Sequence, residues 1–370
     1  MAFTEKYVTV SGAGLHDGSS EANAWTLAEA ISNVAAGDRV NVKAGTYSSG
    51  TTHRIFSANG TDTSPIWWRG YKTSIGDLDS RPTTQRTEGT DMPLFTSTTG
   101  YYYFDGSYQK ISNIHFESAP FNTGSAVILL RGDSLVLFRC RAISNSSNIG
   151  AIEGNTSRQV LVAECYFENT TTGADVVQPK GQNWVISKCI IRGGDIGVSC
   201  PINYNTRILD SIIYDSAESN IQAGGFLMVS NCTLYNAADD NIRLFTLSYY
   251  DTGVIINNVF DTAGGYAINQ NTGTDTNKVL ISNNSYRDGS FGSGRFNGIT
   301  EDLEFESINE TVIPFEDVAS LDFTLKSTAG GHGQQIIFEV DGPTSYRDLG
   351  GIQHADPSGG GAVLHPLRSN

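Results

Sequence analysis

The sequence of 370 residues has little charge, few prolines and no long apolar run. Charged residues make up 17%, where about a quarter is usual for a soluble protein, and acids outnumber bases by 39 to 24. No segment approaches the roughly 20 consecutive apolar residues that a membrane-spanning helix requires. A net charge of −15 disfavours binding to nucleic acid or to an anionic membrane surface. We therefore predict a protein that neither binds nucleic acid nor inserts into a membrane.

The sequence also lacks the cysteine patterns of metal sites and disulfide frameworks. It has five cysteines but no CxxC pair and no Cys/His cluster with the spacing of a zinc site. The first residues, MAFTEKYVTVSG, contain no basic segment followed by an apolar run, so we expect no secretory signal. An odd number of cysteines without an export signal predicts reduced thiols.

What the sequence does contain is an internal repeat. Four cysteines stand in similar segments, LVLFRCRAI, VLVAECYFE, WVISKCIIR and LMVSNCTLY, and four further segments align with them. The aligned cysteine position defines a marker column, whose members are Ile114, Cys140, Cys165, Cys189, Ser211, Cys232, Asn258 and Asn284. Successive markers are 21 to 26 residues apart, and a period of about 20–50 residues is typical of repeat architectures.

Two flanking columns follow the same register. The position three residues before the marker is always aliphatic: Ile111, Leu137, Val162, Ile186, Ile208, Val229, Ile255 and Ile281. The position two residues after the marker is apolar throughout: Phe116, Ala142, Phe167, Ile191, Ile213, Leu234, Phe260 and Tyr286. Both columns lie in short β-branched runs bounded by Gly, Asn and Asp, which favours strands over helices. Each repeat is therefore predicted to be a strand–turn–strand unit.

Stacked repeats of this kind share one continuous core, because a single coil of short strands cannot bury its apolar side alone. Strands of successive coils would pair in parallel about 4.8 Å apart, which places equivalent residues above one another. Small marker residues fit an inward turn, and stacked Asn amides can hydrogen-bond along the axis. The position before the marker alternates in charge over Arg139, Glu164, Lys188 and Asp210, which predicts a salt-bridge ladder or, alternatively, one wall of a substrate groove.

The cysteines are interpreted as core thiols where they occupy the marker column. Their parallel Cβ directions in adjacent coils disfavour disulfide geometry. Cys200 lies off that column and is the one thiol for which the sequence allows exposure.

The segment before the repeats predicts a capping helix. In SSEANAWTLAEAISNVAAGDRV, Ser19 or Ser20 is a candidate N-cap, one face carries Leu27, Ile31 and Val34, and a glycine at position 37 ends the helix. A solenoid exposes unpaired strands at its ends, so this helix is expected to cover the first coil.

Four regions are predicted along the chain. They are an N-terminal segment with the capping helix (1–38), a β-helix (39–292), a closing region (293–350) and a Gly-rich tail (351–370). The tail is expected to be either disordered or docked on a partner surface.

The chain resembles the right-handed parallel β-helix superfamily, which includes pectate-lyase-like enzymes and bacteriophage tailspikes. The matching features are the opening YVTVSGAG…DGSS…AWTLAEAI…AAGDRVNVKAGTY, the eight aligned coils and the closing LDFTLKS…DLGGIQ. The resemblance implies an all-β fold, a single-stranded right-handed parallel β-helix with an N-terminal capping helix. It leaves function open, because this fold hosts lyases, hydrolases, epimerases and structural viral proteins.

Enzymes of this superfamily place acids and bases on exposed strand positions of neighbouring coils. The corresponding segments here are GADVVQPKG, GGDIGVSCP, ESNIQAGG and AADDNIRLF. They supply the candidate catalytic residues Asp175, Asp195, Asp239, Asp240 and Arg243, accompanied by Gln178, Lys180 and Gln222. Paired carboxylates could hydrolyse a glycosidic bond, whereas a lyase would need a Lys or Arg base and commonly Ca²⁺. The same acids could instead be turn residues that precede strands.

Two functional classes fit these observations. The first hypothesis is a structural or adhesion protein of a bacteriophage virion, in the tail or on the capsid, forming a homotrimer without a cofactor. Its tail would bind other virion proteins, and its body would offer a surface to cell-surface polysaccharide. The second hypothesis is an extracellular polysaccharide lyase or glycoside hydrolase acting in an exposed groove, with Ca²⁺ only in the lyase case. Non-catalytic glycan binding through aromatic side chains is a third, weaker alternative.

Overall fold

A computed structural model describes residues 3–79, 89–98, 101–118, 126–200, 204–245, 252–270, 278–287 and 290–298, together with short strands between 304 and 325. The predicted tail, residues 351–370, lies outside this described part of the chain. The described part is almost entirely β-structure, and none of its helices is long and apolar enough to cross a membrane.

A typical coil contains three strands, and equivalent strands of successive coils pair in parallel to form three sheets along the solenoid. Sheet 1 consists of β1 (Thr4–Val8), β2 (Asp38–Lys43), β5 (Ile66–Tyr71), β8 (Gln109–Ser112), β11 (Val136–Phe138), the second halves of β13 (Gly150–Ala163) and β15 (Val177–Ser187), β18 (Thr206–Leu209), β21 (Leu227–Ser230), β24 (Thr252–Ile256), β27 (Lys278–Ser282) and β30 (Glu304–Phe305). Sheet 2 consists of β3 (Gly45–Ser48), β6 (Pro93–Ser97), β9 (His115–Ser118), β12 (Arg141–Ser144), β14 (Tyr166–Asn169), β16 (Ile190–Gly193), β19 (Ile212–Tyr214), β22 (Thr233–Ala237), β25 (Val259–Ala263), β28 (Ser285–Arg287) and β31 (Ile308–Glu310).

Sheet 3 forms the remaining flank. It consists of β4 (Arg54–Phe56), β7 (Tyr102–Phe104), β10 (Ala126–Leu130), the first halves of β13 and β15, β17 (Val198–Cys200), β20 (Ile221–Ala223), β23 (Ile242–Leu244), β26 (Tyr266–Gln270) and β29 (Gly294–Asn297). Because β13 and β15 run through both flanks, sheets 1 and 3 are continuous and contain 20 strands, against 11 in sheet 2. An antiparallel pair, β32 (Phe315–Asp317) and β33 (Asp322–Leu325), follows the last parallel strands.

The predicted register is confirmed strand by strand. In sheet 1, Leu137 pairs with Val162, which pairs with Ile186, and the aliphatic column continues in this way to Ile281. In sheet 2, the apolar column runs in register from Phe116 to Tyr286. Both columns point inward and are buried, so they form the continuous core that a single coil could not build.

The marker column forms a hydrogen-bonded ladder inside the turn between sheets 1 and 2. The backbone N–H of one marker donates to the side chain of the next: Cys189 N to Ser211 Oγ at 3.1 Å, and Cys232 N to Asn258 Oδ1 at 2.8 Å. The Cys and Asn markers in turn donate to a carbonyl of the preceding coil, as Asn258 Nδ2 does to Val229 O at 3.1 Å, whereas Ser211 Oγ donates to Leu209 O of its own coil at 2.7 Å. Small size is therefore only part of the requirement, because Cys, Ser and Asn each offer both a donor and an acceptor.

The residue before each marker adopts a left-handed backbone conformation in all eight coils, with φ between 49 and 58°. Asn and Asp tolerate this conformation best among residues other than glycine, which explains the Asn at this position in the last three coils. The predicted salt bridge is present between Arg139 Nε and Glu164 Oε2 at 2.6 Å. Farther along the same column, Asn283 Nδ2 donates to Asn257 Oδ1 at 3.0 Å, so the charged ladder continues as an amide ladder.

The capping helix is present, but its start differs from the prediction. A 3-10 turn occupies Glu21–Asn23, and helix α1 spans Leu27–Asn33. Thr26, rather than Ser19 or Ser20, is the N-cap of α1, because its side chain and that of Glu29 form a reciprocal capping box. The buried side of α1 joins the apolar core, so the helix covers the end of the solenoid as expected.

Candidate functional site

A row of mostly polar side chains follows the outer face of sheet 3. One position per coil supplies it, and its polar members from the coil of Cys140 to that of Asn258 are Glu153, Gln178, Ser199, Gln222, Arg243 and Asn269. The residues directly before them in each strand are fully buried aliphatic side chains. Because successive residues of a strand point to opposite faces, this row faces outward. We refer to it as the sheet 3 row.

Five acidic residues of the described part lie in the turns that lead into sheet 3: Asp175, Asp195, Glu218, Asp239 and Asp240. The backbone N–H of Asp195 donates to Ala174 O at 2.9 Å, that of Glu218 donates to Asp195 O at 2.8 Å, and that of Asp239 donates to Glu218 O at 2.8 Å. The turns therefore continue the parallel stacking of the strands, although the sequence distances to the markers differ. Asp175 is the neighbour of Ala174, so Asp175 and Asp195 lie on adjacent coils.

Arg243 lies at the centre of three carboxylates. Its Nε atom donates to Asp240 Oδ2 at 2.9 Å, and its two terminal nitrogens donate to Glu218 and Asp239. The Asp240 side chain is completely buried and also accepts a hydrogen bond of 2.8 Å from Asn269 Nδ2. Burial alone would lower the pKa of Arg243, but the hydrogen bond to Asp240 and the three negative charges raise it above its usual value. This carboxylate–arginine cluster is a rigid element of the site.

Asp175 is the acid whose environment favours its protonated form. Burial raises the pKa of this carboxyl, and the nearby charge of Asp195 raises it further. A hydrogen bond from the Ser199 side chain, a second from Gln178 Nε2 to Asp175 Oδ2 at 2.9 Å, and the charge of Lys180 lower the pKa, but together by a smaller amount. The pair therefore combines a carboxyl that retains its proton to higher pH with a second carboxyl one coil away.

Lys180 is held by an ion pair on the same face. Its Nζ atom lies 2.9 Å from Glu153 Oε1, and the Glu153 side chain is 6% exposed. The other carboxylate oxygen of Glu153 is buried and has no hydrogen-bond partner among the described residues. One carboxylate oxygen of Glu153 is therefore both buried and unpaired beneath the sheet 3 row.

The carboxylates of the site do not fit a calcium ion. The place where three of them converge is occupied by the Arg243 guanidinium, which already supplies the compensating positive charge. Within the described ranges, no group of three or more His, Cys, Asp or Glu side chains is arranged to hold a metal ion.

The structure brings the sequence-predicted residues together on one face. Asp239, Asp240 and Arg243 share one cluster, while Asp175 and Asp195 stand on the two coils nearest to it on the N-terminal side. Sequence reasoning missed Glu153 and Glu218. Glu218 could have been found, because it opens the segment ESNIQAGG that supplied Gln222.

Cys200 is an exception to the sequence interpretation. It points inward from β17 and is 4% exposed, and burial raises its pKa to about 12. The four marker cysteines are buried, as predicted for core thiols, and all five cysteines are free.

No protein-family model and no curated protein matches the sequence. The chain is similar in structure to the pectate lyase Pel9A, with a TM-score of 0.68, 14% identity and coverage of 96% of this chain and 97% of that one. It is similar to a rhamnogalacturonan lyase with a TM-score of 0.62 and 14% identity, over 86% of this chain and 91% of that one. It is also similar to an alginate lyase from Paenibacillus sp. str. FPU-7, with a TM-score of 0.50 and 13% identity, over 83% and 99% of the two chains. The chain therefore has a right-handed parallel β-helix fold.

Proposed function

We propose that the protein cleaves a polysaccharide on the outer face of sheet 3, with Asp175 as the general acid. The observation that carries this proposal is the pair of carboxyl groups on adjacent coils, of which Asp175 has a raised pKa. Two carboxyl groups in different environments can divide the acid and base roles of glycoside hydrolysis. The similar solved structures named above include three enzymes described as polysaccharide lyases, which supports the choice of a carbohydrate polymer.

The proposed reaction is hydrolysis of a glycosidic bond. Protonated Asp175 donates its proton to the oxygen of the leaving sugar, and Asp195, as carboxylate, either activates a water molecule or attacks the sugar carbon. Gln178 holds the Asp175 carboxyl through the hydrogen bond of 2.9 Å. The carboxylate–arginine cluster fixes the C-terminal side of the site.

Hydrolysis fits the site better than β-elimination. A lyase needs a basic side chain that is free to take a proton from the sugar ring. Here Lys180 is engaged by Glu153, and Arg243 is engaged by Asp240, Asp239 and Glu218. The two bases on this face are therefore already committed to carboxylates, whereas Asp175 can donate a proton.

A panel of polysaccharides tests the proposal through the release of reducing ends. We expect at least one polymer to be cleaved, and Asp175→Asn to reduce the rate by about 10²–10⁴-fold, the usual contribution of a general acid. Asp62→Asn, at an exposed loop position, is the matched control and should retain full activity. If the wild-type protein releases no reducing ends from any polymer of the panel, or if Asp175→Asn is fully active, the proposal is contradicted.

A structural or adhesion role in a bacteriophage virion is the second candidate. It is favoured by an apolar row on the outer face of sheet 1, formed in register by Val136, Leu161, Val185, Met228, Val254 and Leu280 and interrupted by Arg207. Leu161 is 38% exposed and Leu280 is 46% exposed. Apolar surface of this kind is typical of protein–protein contacts, and it would suit the packing of three solenoids side by side.

The molar mass in solution and the protein content of purified particles test this second candidate. A homotrimer that Leu161→Glu dissociates, found in virions, would support it. A strict monomer that is absent from particles would contradict it.

A further inference from the structure

Negative charge dominates the proposed site. Six carboxyl groups lie on or beside the sheet 3 row over five successive coils: Glu153, Asp175, Asp195, Glu218, Asp239 and Asp240. Among the described residues, the cations that pair with these acids are Lys180 and Arg243. The formal excess is four negative charges, or three while Asp175 retains its proton.

Both cations are already bound by protein carboxylates. Lys180 Nζ lies 2.9 Å from Glu153 Oε1, and the three donors of Arg243 are directed at Asp240, Asp239 and Glu218. The Arg243 side chain is 13% exposed, so little of its charge reaches the solvent side of the site. A carboxylate on a substrate would therefore meet acids, and like charges at close range repel.

The polar groups of the row suit hydroxyl groups better than carboxylates. Glu153 Oε2 is a buried acceptor without a partner among the described residues. Ser199, whose side chain hydrogen-bonds Asp175, and Gln222 face outward farther along the row, and a hydroxyl and an amide can each donate and accept hydrogen bonds. Carboxylate oxygens accept hydrogen bonds from sugar hydroxyls. Because hydroxyls are uncharged, the acids do not repel them.

We infer that the substrate of this site is an uncharged polysaccharide rather than a polymer of uronic acids. This inference rests on the proposed function, because it concerns the same face of sheet 3. The row from Glu153 to Asn269 spans six coils, which is about 24 Å at the parallel strand spacing. A polymer chain lying along the row would therefore meet the acidic surface with several consecutive sugars.

Matched pairs of polymers test the inference. Each pair has one backbone in an uncharged and a carboxylated form: methyl-esterified and de-esterified galacturonan, and hydroxyethyl and carboxymethyl cellulose. For the backbone that binds, we expect the uncharged form to bind about tenfold more tightly at low salt, the effect of two like-charge contacts at about 6 Å in water. The difference should shrink at high salt because of screening.

A charge variant separates electrostatics from shape. Glu218 lies outside the proposed acid pair, and Glu218→Gln removes one negative charge. The variant should therefore reduce the ratio of the affinities for the uncharged and the carboxylated polymer. Asp62→Asn should leave the ratio unchanged. Tighter binding of the carboxylated form would overturn the inference while leaving the proposed function intact. Failure of every polysaccharide of the cleavage panel, these pairs included, to bind would instead overturn the proposed function, and the inference with it.

Discussion

The backbone N–H of Cys232 donates a hydrogen bond of 2.8 Å to the side-chain oxygen of Asn258, which stands one coil later at the same turn. Asn258 Nδ2 in turn lies 3.0 Å from Asn284 Oδ1 and 3.1 Å from Val229 O. One side chain thus serves three coils, and all of these atoms are buried. The regular turn between sheets 1 and 2 depends on such side chains.

Replacement of Asn258 is expected to destabilise the solenoid. Asn258→Ala leaves the buried N–H of Cys232 without its acceptor, which should lower the free energy of unfolding by about 1–3 kcal/mol. Asn258→Ser is the matched variant, because Ser211 accepts from Cys189 N in an equivalent turn at 3.1 Å. Urea unfolding should therefore show a smaller loss for Asn258→Ser than for Asn258→Ala. Equal losses of unfolding free energy in the two variants would show that the hydrogen bond to Cys232 N is not what stabilises this turn.

Arg243 and Asp240 are expected to be energetically coupled. Arg243→Met leaves the fully buried Asp240 carboxylate without its cation, which should lower the free energy of unfolding by about 3–5 kcal/mol. The double variant Arg243→Met/Asp240→Asn removes both charges and should recover part of that loss. Additive losses in a double-mutant cycle would show that the pair is not coupled.

Asp175 gives stability a defined pH dependence. Burial raises the pKa of this carboxyl in the folded protein, whereas the unfolded chain has the ordinary value of about 3.9. Between these two pKa values the folded state binds more protons, so its free energy of unfolding falls as pH rises and then levels off above the folded pKa. Asp175→Asn has no carboxyl at this position, so this fall in the free energy of unfolding should be absent from the variant.

Urea unfolding of wild type and Asp175→Asn over a series of pH values measures the effect. The variant should gain stability relative to wild type from about pH 4 upward, until the Asp175 carboxyl is fully ionised. Asp261, whose pKa is also raised by burial, is present in both proteins and cancels in the comparison. A difference that does not change with pH would contradict the raised pKa.

The cysteines are expected to be chemically silent in the folded protein. Burial raises the pKa of Cys165 well above its usual value and that of Cys200 to about 12, and thiolates are the reactive form. A thiol reagent such as DTNB should therefore label no cysteine of the native protein at mildly alkaline pH, and all five after denaturation. Rapid labelling of the native protein would place a thiol at the surface.

The core of the fold was predictable from the sequence because stacking imposes the same environment on every coil. The aliphatic residues three positions before Cys140 and before Cys232 are buried in equivalent places, so one sequence register identified the whole column. The start of α1 was missed because the two serines at 19 and 20 look like N-caps, while the reciprocal pair of Thr26 and Glu29 decides where the helix begins.

The site was only partly predictable, because variable turns separate it from the marker column. Arg243 and Asn269 both follow their markers by eleven positions, but Gln178 follows Cys165 by thirteen. The strands of sheet 3 could therefore not be aligned from the markers alone. Contacts between coils, rather than sequence spacing, decide which acids surround Arg243. The same contacts bury Asp240 beneath it.

Hydrogen–deuterium exchange with an uncharged polymer that the protein binds would test most directly whether sheet 3 carries the function. We predict slower exchange in the turns that contain Asp175, Asp195 and Glu218 and in the neighbouring strands β17 and β20, with β18 and β21 of sheet 1 unchanged. Protection confined to the apolar row of sheet 1 would contradict the account.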